Sequence, residues 1–407
     1  MVQPLAMIRI LPVDSKKLER SFLDFPRKLY RNDPNHVMAF DREIQKAFNR
    51  KVNPYFTHGD AVRWIALDEK GECLGRIAAF YDTDKDEADQ IKSGGCGFFE
   101  SVDDQGVAFL LFDTAKQWLN DRGYEAMDGP INFGENDTNW GCLVQGFVPP
   151  AIGMNYNLPY YRTLFEDYGF KLYYRQLGFH LDLEKPFPER FWKIAEWINN
   201  REGYSYRHFE MKHAAKFVED TASIYDQAWA SLREDYTPMD PASLYDEMRK
   251  IKMIMDPELI WFAYYNNEPI SFFMFLPDAN QIFRHLNGKL HLINKIRFLN
   301  YKRKNTMTRA RGTAAGVVPK YQNSGVESGI FYQLRKVMDH KPHYKQFELS
   351  WVGDFNPKMI SLYQATGAYH TKTYHTYRYL FDPNKTYQRF MEEAVDEAKL
   401  PENILKL

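Results

Sequence analysis

The sequence predicts an α/β chain of two tandem domains, each a mixed twisted β-sheet flanked by helices, and three observations carry that prediction. With 407 residues the chain is too long for one ordinary hydrophobic core. Two passages recur in the same order in its two halves. Trp64 to Phe80 lines up with Trp261 to Phe275, and Leu164-Phe-Glu-Asp-Tyr-Gly-Phe170 lines up with Leu362-Tyr-Gln-Ala-Thr-Gly-Ala368. The stretch from Arg311 to Leu334 reads as a strand, a tight loop and a helix. Thr313 to Val318 is small and β-branched, Pro319 ends the ladder, Gln322 to Gly325 is turn chemistry, and Ile330, Phe331, Leu334 and Val337 follow at helical spacing. A loop entering a helix in this way presents free backbone N–H groups and the positive end of a helix dipole, a ready anion site.

Taken in order, Ile8 to Val13 is an opening strand, and Ser15 caps a helix carrying Leu18, Phe22, Phe25 and Leu29. A second helix lies around Phe40 to Phe48, and Val62 to Tyr81 is a hairpin turning at Glu69 to Gly71. Gly97 to Glu100 is a strand, Gly106 to Leu119 a helix, and Ala126 to Ile131 a strand. Between the first two, Ser101-Val-Asp-Asp-Gln105 has two acids and no Gly-rich turn, so this half has no phosphate loop. The stretch 132–156 is expected to be a long loop whose aromatic content makes it functional rather than disordered. A helix closed by Gly169 and a strand from Gln176 to Leu183 complete the half.

The Pro-broken segment Lys185-Pro-Phe-Pro188 marks the boundary, giving domains 1–184 and 185–383 and a helical tail 384–407. In the second half, helices from Phe217 to Leu232 and Pro241 to Met255 precede the hairpin, as their counterparts do in the first.

Composition narrows the function classes. A net charge of −1 leaves no global excess to attract nucleic acid. Cys73, Cys96 and Cys142 stand far apart without Cys-x-x-Cys spacing, a reduced, structural pattern. No charged leader opens the chain, and no uncharged apolar run reaches the roughly 20 residues that span a bilayer. The expectation is a soluble cytoplasmic protein without a transmembrane segment. Scattered histidines predict no metal site, and neither Gly-x-Ser-x-Gly nor Gly-Lys-Ser/Thr occurs. The 16% aromatic content predicts thick aromatic packing or an aromatic-lined cleft.

The Arg311–Leu334 stretch resembles motif A of the GNAT superfamily of N-acyltransferases, in which a Gln/Arg-x-x-Gly-x-Gly/Ala loop cradles the pyrophosphate of an acyl-CoA. Gln322 and Gly325 match, whereas Glu327 puts a carboxylate where that phosphate belongs. Asn356-Pro-Lys-Met-Ile-Ser-Leu-Tyr-Gln-Ala-Thr-Gly-Ala368 resembles motif B of the same superfamily. The resemblance covers most of the chain, in the manner of tandem GNAT-like bacterial proteins. It implies an N-acyltransferase using acetyl-CoA or another acyl-CoA as co-substrate, with the donor site in the second domain.

On that resemblance Val317, Val318, Gln322, Asn323, Ser324, Gly325, Val326 and Asn356 bind the donor. A backbone N–H of Val317 or Val318 polarises the thioester carbonyl, and Tyr363 protonates the departing thiolate. Phe165, at the matching place in the first half, has no hydroxyl to donate. Glu348 and Asp354 are the candidate general bases. The acceptor is a small-molecule amine or amino-acid-like compound, with Glu135, Asn136 and Trp140 of the long loop forming one wall. Two alternatives are a non-catalytic GNAT-like ligand- or partner-binding protein and an acyltransferase that draws on an acidic acyl carrier protein.

The stretch 279–311 is a basic insertion. From Ala279 to Val326 there is no Asp or Glu, while Arg284, Lys289, Lys295, Arg297, Lys302, Arg303, Lys304, Arg309, Arg311 and Lys320 are present. Leu292, Ile293, Ile296 and Leu299 predict an amphipathic helix with a basic flank. It has three readings: a helix covering sheet surface with its charges solvated, a complement to CoA phosphates, or a dock for an acidic carrier protein or anionic membrane surface.

Overall fold

Apolar alternation and its turn signals build the first half in the predicted order. The computed structural model describes residues 8–86, 91–134, 136, 138–229 and 238–404. Strand β1 (Arg9–Pro12) leads into helix α1 (Lys16–Leu29), capped by the Ser15 side chain, and helix α2 (Asp41–Ala47). The hairpin β2 (Gly59–Leu67) and β3 (Cys73–Asp82) follows, then β4 (Ser93–Ser101), α3 (Gln105–Asn120) and β5 (Ala126–Gly129). The stretch expected to be one long loop contains a further strand, β6 (Cys142–Gln145). Helix α4 (Tyr161–Tyr168) ends at Gly169, whose φ of 108° suits glycine alone, and β7 (Lys171–Asp182) closes the half.

The second half repeats this order after α5 (Glu189–Asn199): β8 (Tyr204–His208), α6 (Ala214–Trp229), α7 (Pro241–Ile251), and the hairpin β9 (Ile260–Tyr265) and β10 (Glu268–Pro277). The expected extension of α6 to Leu232 lies outside the described residues. The basic insertion holds α8 (Asn280–Phe283) and α9 (Leu292–Arg303). Then come β11 (Arg309–Val317), α10 (Val326–His340), β12 (Gln346–Glu348), β13 (Val352–Gly353), α11 (Pro357–Ala365) and β14 (Tyr369–Leu380). The tail expected to be helical carries only two 3₁₀ turns, Glu392–Ala394 and Glu397–Lys399, among its described residues. Its apolar anchors Leu400 and Ile404 bury themselves in the second-half core, and Val395 packs against that core from an irregular spacing that no single helix face provides.

Among the described residues one mixed sheet of 14 strands runs through both halves in the order β1-β2-β3-β4-β5-β14-β7-β12-β11-β10-β9-β8, with β6 paired to β14 and β13 to β7 beside this path. Each half contributes an antiparallel meander ending in one parallel pair, β4 with β5 and β11 with β12. The last strands have changed places. β7 pairs with β12 (Phe347 opposite Leu181), and β14 pairs with β5 (Tyr377 opposite Gly129). The two long strands also pair with each other from Tyr369–His180 to Arg378–Lys171. One core packs α5 and α10 on the second-half sheet, and a second packs α3 and α4 on the first. Among the described residues no helix is long and apolar enough to cross a membrane.

Candidate functional site

The parallel pair β11–β12 holds together only from Arg309 to Arg311 opposite Gln346 to Glu348. Beyond it the chain after β12 swings to β7, with the Leu349 N–H donating to the Phe179 carbonyl at 2.9 Å. The strands therefore splay into a narrow crevice of about 10 Å³. Gly312, Ala314, Ala315, Leu349, Ser350 and Tyr363 are among its walls, with Phe273, Phe275 and Phe331 behind. Small side chains keep it open: a Cβ on Gly312 would sit 3.0 Å from the Ser350 nitrogen.

Tyr363, buried on α11, stands edge-on to Phe179 at 5.7 Å with its hydroxyl beside Ser350. Burial pushes its phenol well up, against a smaller opposing effect from Ser350, so the hydroxyl keeps its proton and serves as a donor. Two backbone donors were expected here, and strand alternation separates them. The Val318 N–H is spent on the Ile270 carbonyl at 2.9 Å in the β10 direction. The preceding odd positions, Ala315 and Val317, therefore turn their N–H groups away from β10, and Ala315 lines the crevice. The Val317 carbonyl, on that same side, accepts from Gln322 Nε2 at 3.5 Å.

The loop that follows has the expected backbone. Asn323 (φ 62°) and Gly325 (φ 86°) are left-handed, and α10 starts at Val326. Ser324 turns its hydroxyl inward to the Tyr321 carbonyl at 2.6 Å. Glu327 fills the anion position itself. Its half-buried carboxyl is bonded to its own backbone N–H at the start of α10, and burial raises its pKa despite that bond.

Several expected side chains are engaged elsewhere. Asn356 caps α11, its Oδ1 accepting from the Met359 N–H at 3.1 Å. Asp354, fully buried, binds Arg175 at 3.4 Å and Arg389 at 2.6 Å. Glu348 points to the sheet face opposite α10, where His180 Nε2 lies at 2.9 Å, Lys372 Nζ at 2.7 Å and Arg309 at 3.6 Å. Burial alone would raise its carboxyl, but Lys372, His180 and Arg309 outweigh it and hold the group well below the usual carboxylate range. A proton acceptor should have a pKa near the working pH, so the cluster makes Glu348 a counter-ion instead of a base. It ties together β7, β11, β12 and β14.

The long first-half stretch does reach the second half, through residues other than those expected. Ile152 donates its N–H to Asp278 at 2.8 Å and accepts from Arg311 at 2.5 Å. Arg309 binds the same Asp278 at 2.7 Å and the Pro149 carbonyl at 3.2 Å. Trp140 turns instead to β7, its indole N–H donating to the Tyr174 hydroxyl at 2.8 Å. Asn136 is half-buried in a turn, and Glu135 lies outside the described residues. Sequence reasoning missed His180, Lys372, Arg309 and Asp278 as a group. For His180, Arg309 and Lys372 the available signal was a polar or charged residue inside a strand between apolar or β-branched neighbours, and Asp278 lies just past the end of β10.

In the first half, Phe165 occupies the place matching Tyr363 and is packed by Phe99, Phe112 and Phe170 at 5.4, 4.9 and 4.9 Å, which leaves aromatic rings where the second half has a crevice. Among the described residues one group, His58, Asp82 and Asp84, could offer three ligand atoms to a cation. It lies by β2 and β3, and its histidine is already bound to Asp82 at 2.6 Å.

No family model matches the chain. It is 27% identical over 380 residues to a bacterial ceramide synthase of Caulobacter vibrioides, covering 91% of this chain and 97% of that one. Protein YghO of Escherichia coli is 25% identical over 373 residues, with 88% and 92% covered. Among solved structures, a tandem GNAT protein from the clavulanic acid biosynthesis pathway superposes with a TM-score of 0.54 at 10% identity, over 93% of this chain and 100% of that one. A GCN5-related N-acetyltransferase from Sphaerobacter thermophilus gives 0.51 at 11% identity, over 94% and 98%. The chain thus has the fold of tandem GNAT proteins.

Proposed function

We propose that the chain is an N-acyltransferase that moves an acyl group from an acyl-CoA thioester to the amine of a long-chain acceptor, at the crevice between β11 and β12. The observation that carries the proposal is the splay itself, with Tyr363 and Ala315 at its walls and Val317 two residues further along β11. The acceptor nitrogen attacks the thioester carbon, and the carbonyl oxygen gathers charge that the Val317 N–H stabilises. The C–S bond then breaks, the sulfur takes the Tyr363 proton, and one amine proton leaves to solvent, which returns a proton to Tyr363. The strands must part further to admit a thioester, and Phe273, Phe275, Phe331 and Leu349 offer its acyl chain an apolar wall. Within the small-molecule amines expected from the sequence, the full-length similarity to a protein named as a ceramide synthase supports a long-chain amino alcohol, since a ceramide is the fatty amide of such an alcohol.

The test is to incubate the purified protein with a long-chain acyl-CoA and sphinganine and follow amide and free thiol together. Stoichiometric appearance of both is expected; thiol release without amide, or no reaction, would reject the reading. Gln322, Asn323, Ser324, Gly325 and Val326 form the proposed donor loop, with Glu327 weakening it. A Glu327→Gly variant is accordingly expected to bind CoA about tenfold more tightly by calorimetry, the effect of removing about 1.4 kcal/mol of like-charge opposition. Glu327 also favours a second reading, in which the donor is an acyl carrier protein. Such a donor brings a single phosphodiester and needs no pyrophosphate cradle. Faster turnover with the carrier thioester than with acyl-CoA would select it.

A further inference from the structure

Helix α9 is inside out. Its inward contacts are Phe298 and Tyr301, packed with Ile282, Phe283 and Leu286, and Asn294, whose side-chain amide donates to the carbonyls of Leu286 and Lys289 at 3.0 and 2.8 Å. Its aliphatic residues point to solvent, against the first of the three readings, in which the helix covers the sheet. Leu292 is 73% exposed, Ile293 62%, Ile296 60% and Leu299 44%. With 3.6 residues per turn, Leu292, Ile296 and Leu299 form one outward row with Ile293 at its edge. Lys295 borders the row on one side, Arg297 and Lys304 on the other, and Arg303 ends it, all exposed.

No carboxylate occurs from Ala279 to Val326 to neutralise these cations. A surface of this kind is charge-complementary to something anionic that also accepts aliphatic side chains. A second copy of the chain would set the same cations against each other. An acidic protein would satisfy the charges but would need an apolar groove for the row. A bilayer with anionic headgroups supplies both, in the order that Leu and Ile tips flanked by longer basic side chains require.

We propose that α9 seats this protein on an anionic phospholipid membrane, with Leu292, Ile293, Ile296 and Leu299 at the acyl-chain boundary and Lys295, Arg297, Arg303 and Lys304 on the phosphates. Residues 304–308 join the helix directly to β11, so the seat adjoins the strand that lines the crevice. The proposal stands whether or not the chain transfers acyl groups.

The experiment is co-sedimentation of the full-length protein with vesicles of phosphatidylcholine alone or mixed with phosphatidylglycerol. The native protein should pellet with the mixed vesicles and release in high salt. Ile293→Ser/Ile296→Ser and, separately, Lys295→Gln/Arg297→Gln should each weaken binding on the order of tenfold. All four residues are exposed, so melting curves should match the native protein. Three results would overturn the proposal. One is no pelleting of the native protein with the mixed vesicles. Another is equal pelleting of native protein and both variants. The last is a dimer, or a complex with an acidic acyl carrier protein, that these variants dissolve while vesicle binding stays unchanged.

Discussion

Replacing Glu348 with glutamine is expected to cost about 3–5 kcal/mol of folding stability, the usual penalty for breaking a buried ion pair from one side. The amide fits the space but leaves Lys372, itself fully buried, and Arg309 without their shared anion. Denaturant unfolding measures the loss. Glu348→Gln/Lys372→Met should recover a large part of it, because removing both partners leaves less uncompensated charge, and the double-mutant cycle gives their coupling. The pH dependence has a definite sign. The folded carboxyl lies below its ordinary value of 4.5, so its contribution is fully present above that value and is lost as the pH falls below it toward the folded pKa. The glutamine variant should lose this part of the acid-unfolding curve. If Glu348 were instead the general base, the variant would keep native stability and lose turnover.

Tyr363→Phe should behave in the opposite way. Proton donation to a leaving group accounts for roughly 10²–10⁴ in rate, so kcat should fall by about that much. The affinity for the acyl donor and the melting temperature should change little, because the ring that packs edge-on against Phe179 is retained. A burst experiment with long-chain acyl-CoA separates the chemical step from release, and an unchanged rate constant for that step would remove Tyr363 from the reaction.

Much of this architecture was legible residue by residue. Ser15 announced α1, Gly169 announced the end of α4, and Pro319 with Gly325 bracketed the turn between β11 and α10, because each acts through local backbone geometry. What was not legible depends on partners distant in the chain. Nothing in the Gln176–Leu183 run distinguishes a neighbour in its own half from β12. Val317 and Val318 look equivalent until the register with β10 assigns one N–H to Ile270 and turns the other away from β10. Glu348 displays a carboxylate but not the partners His180, Arg309 and Lys372 that come from β7, β11 and β14. Helix α9 misled because it has two apolar faces. The aliphatic row sets the periodicity, while Phe298 and Tyr301, with the Asn294 amide, hold the opposite side to α8 and the turn after it.

The traded last strands also dictate when the protein can be finished. As the polypeptide leaves the ribosome, β5 emerges early and can pair with β4, but its neighbour on the other side begins only at Tyr369. Throughout that interval a nascent first half carries unpaired backbone along β5 and β7, the kind of edge that recruits foreign strands. Slow elongation late in translation thus becomes a hazard for residues made long before, and a chaperone that shields that edge is what this topology calls for.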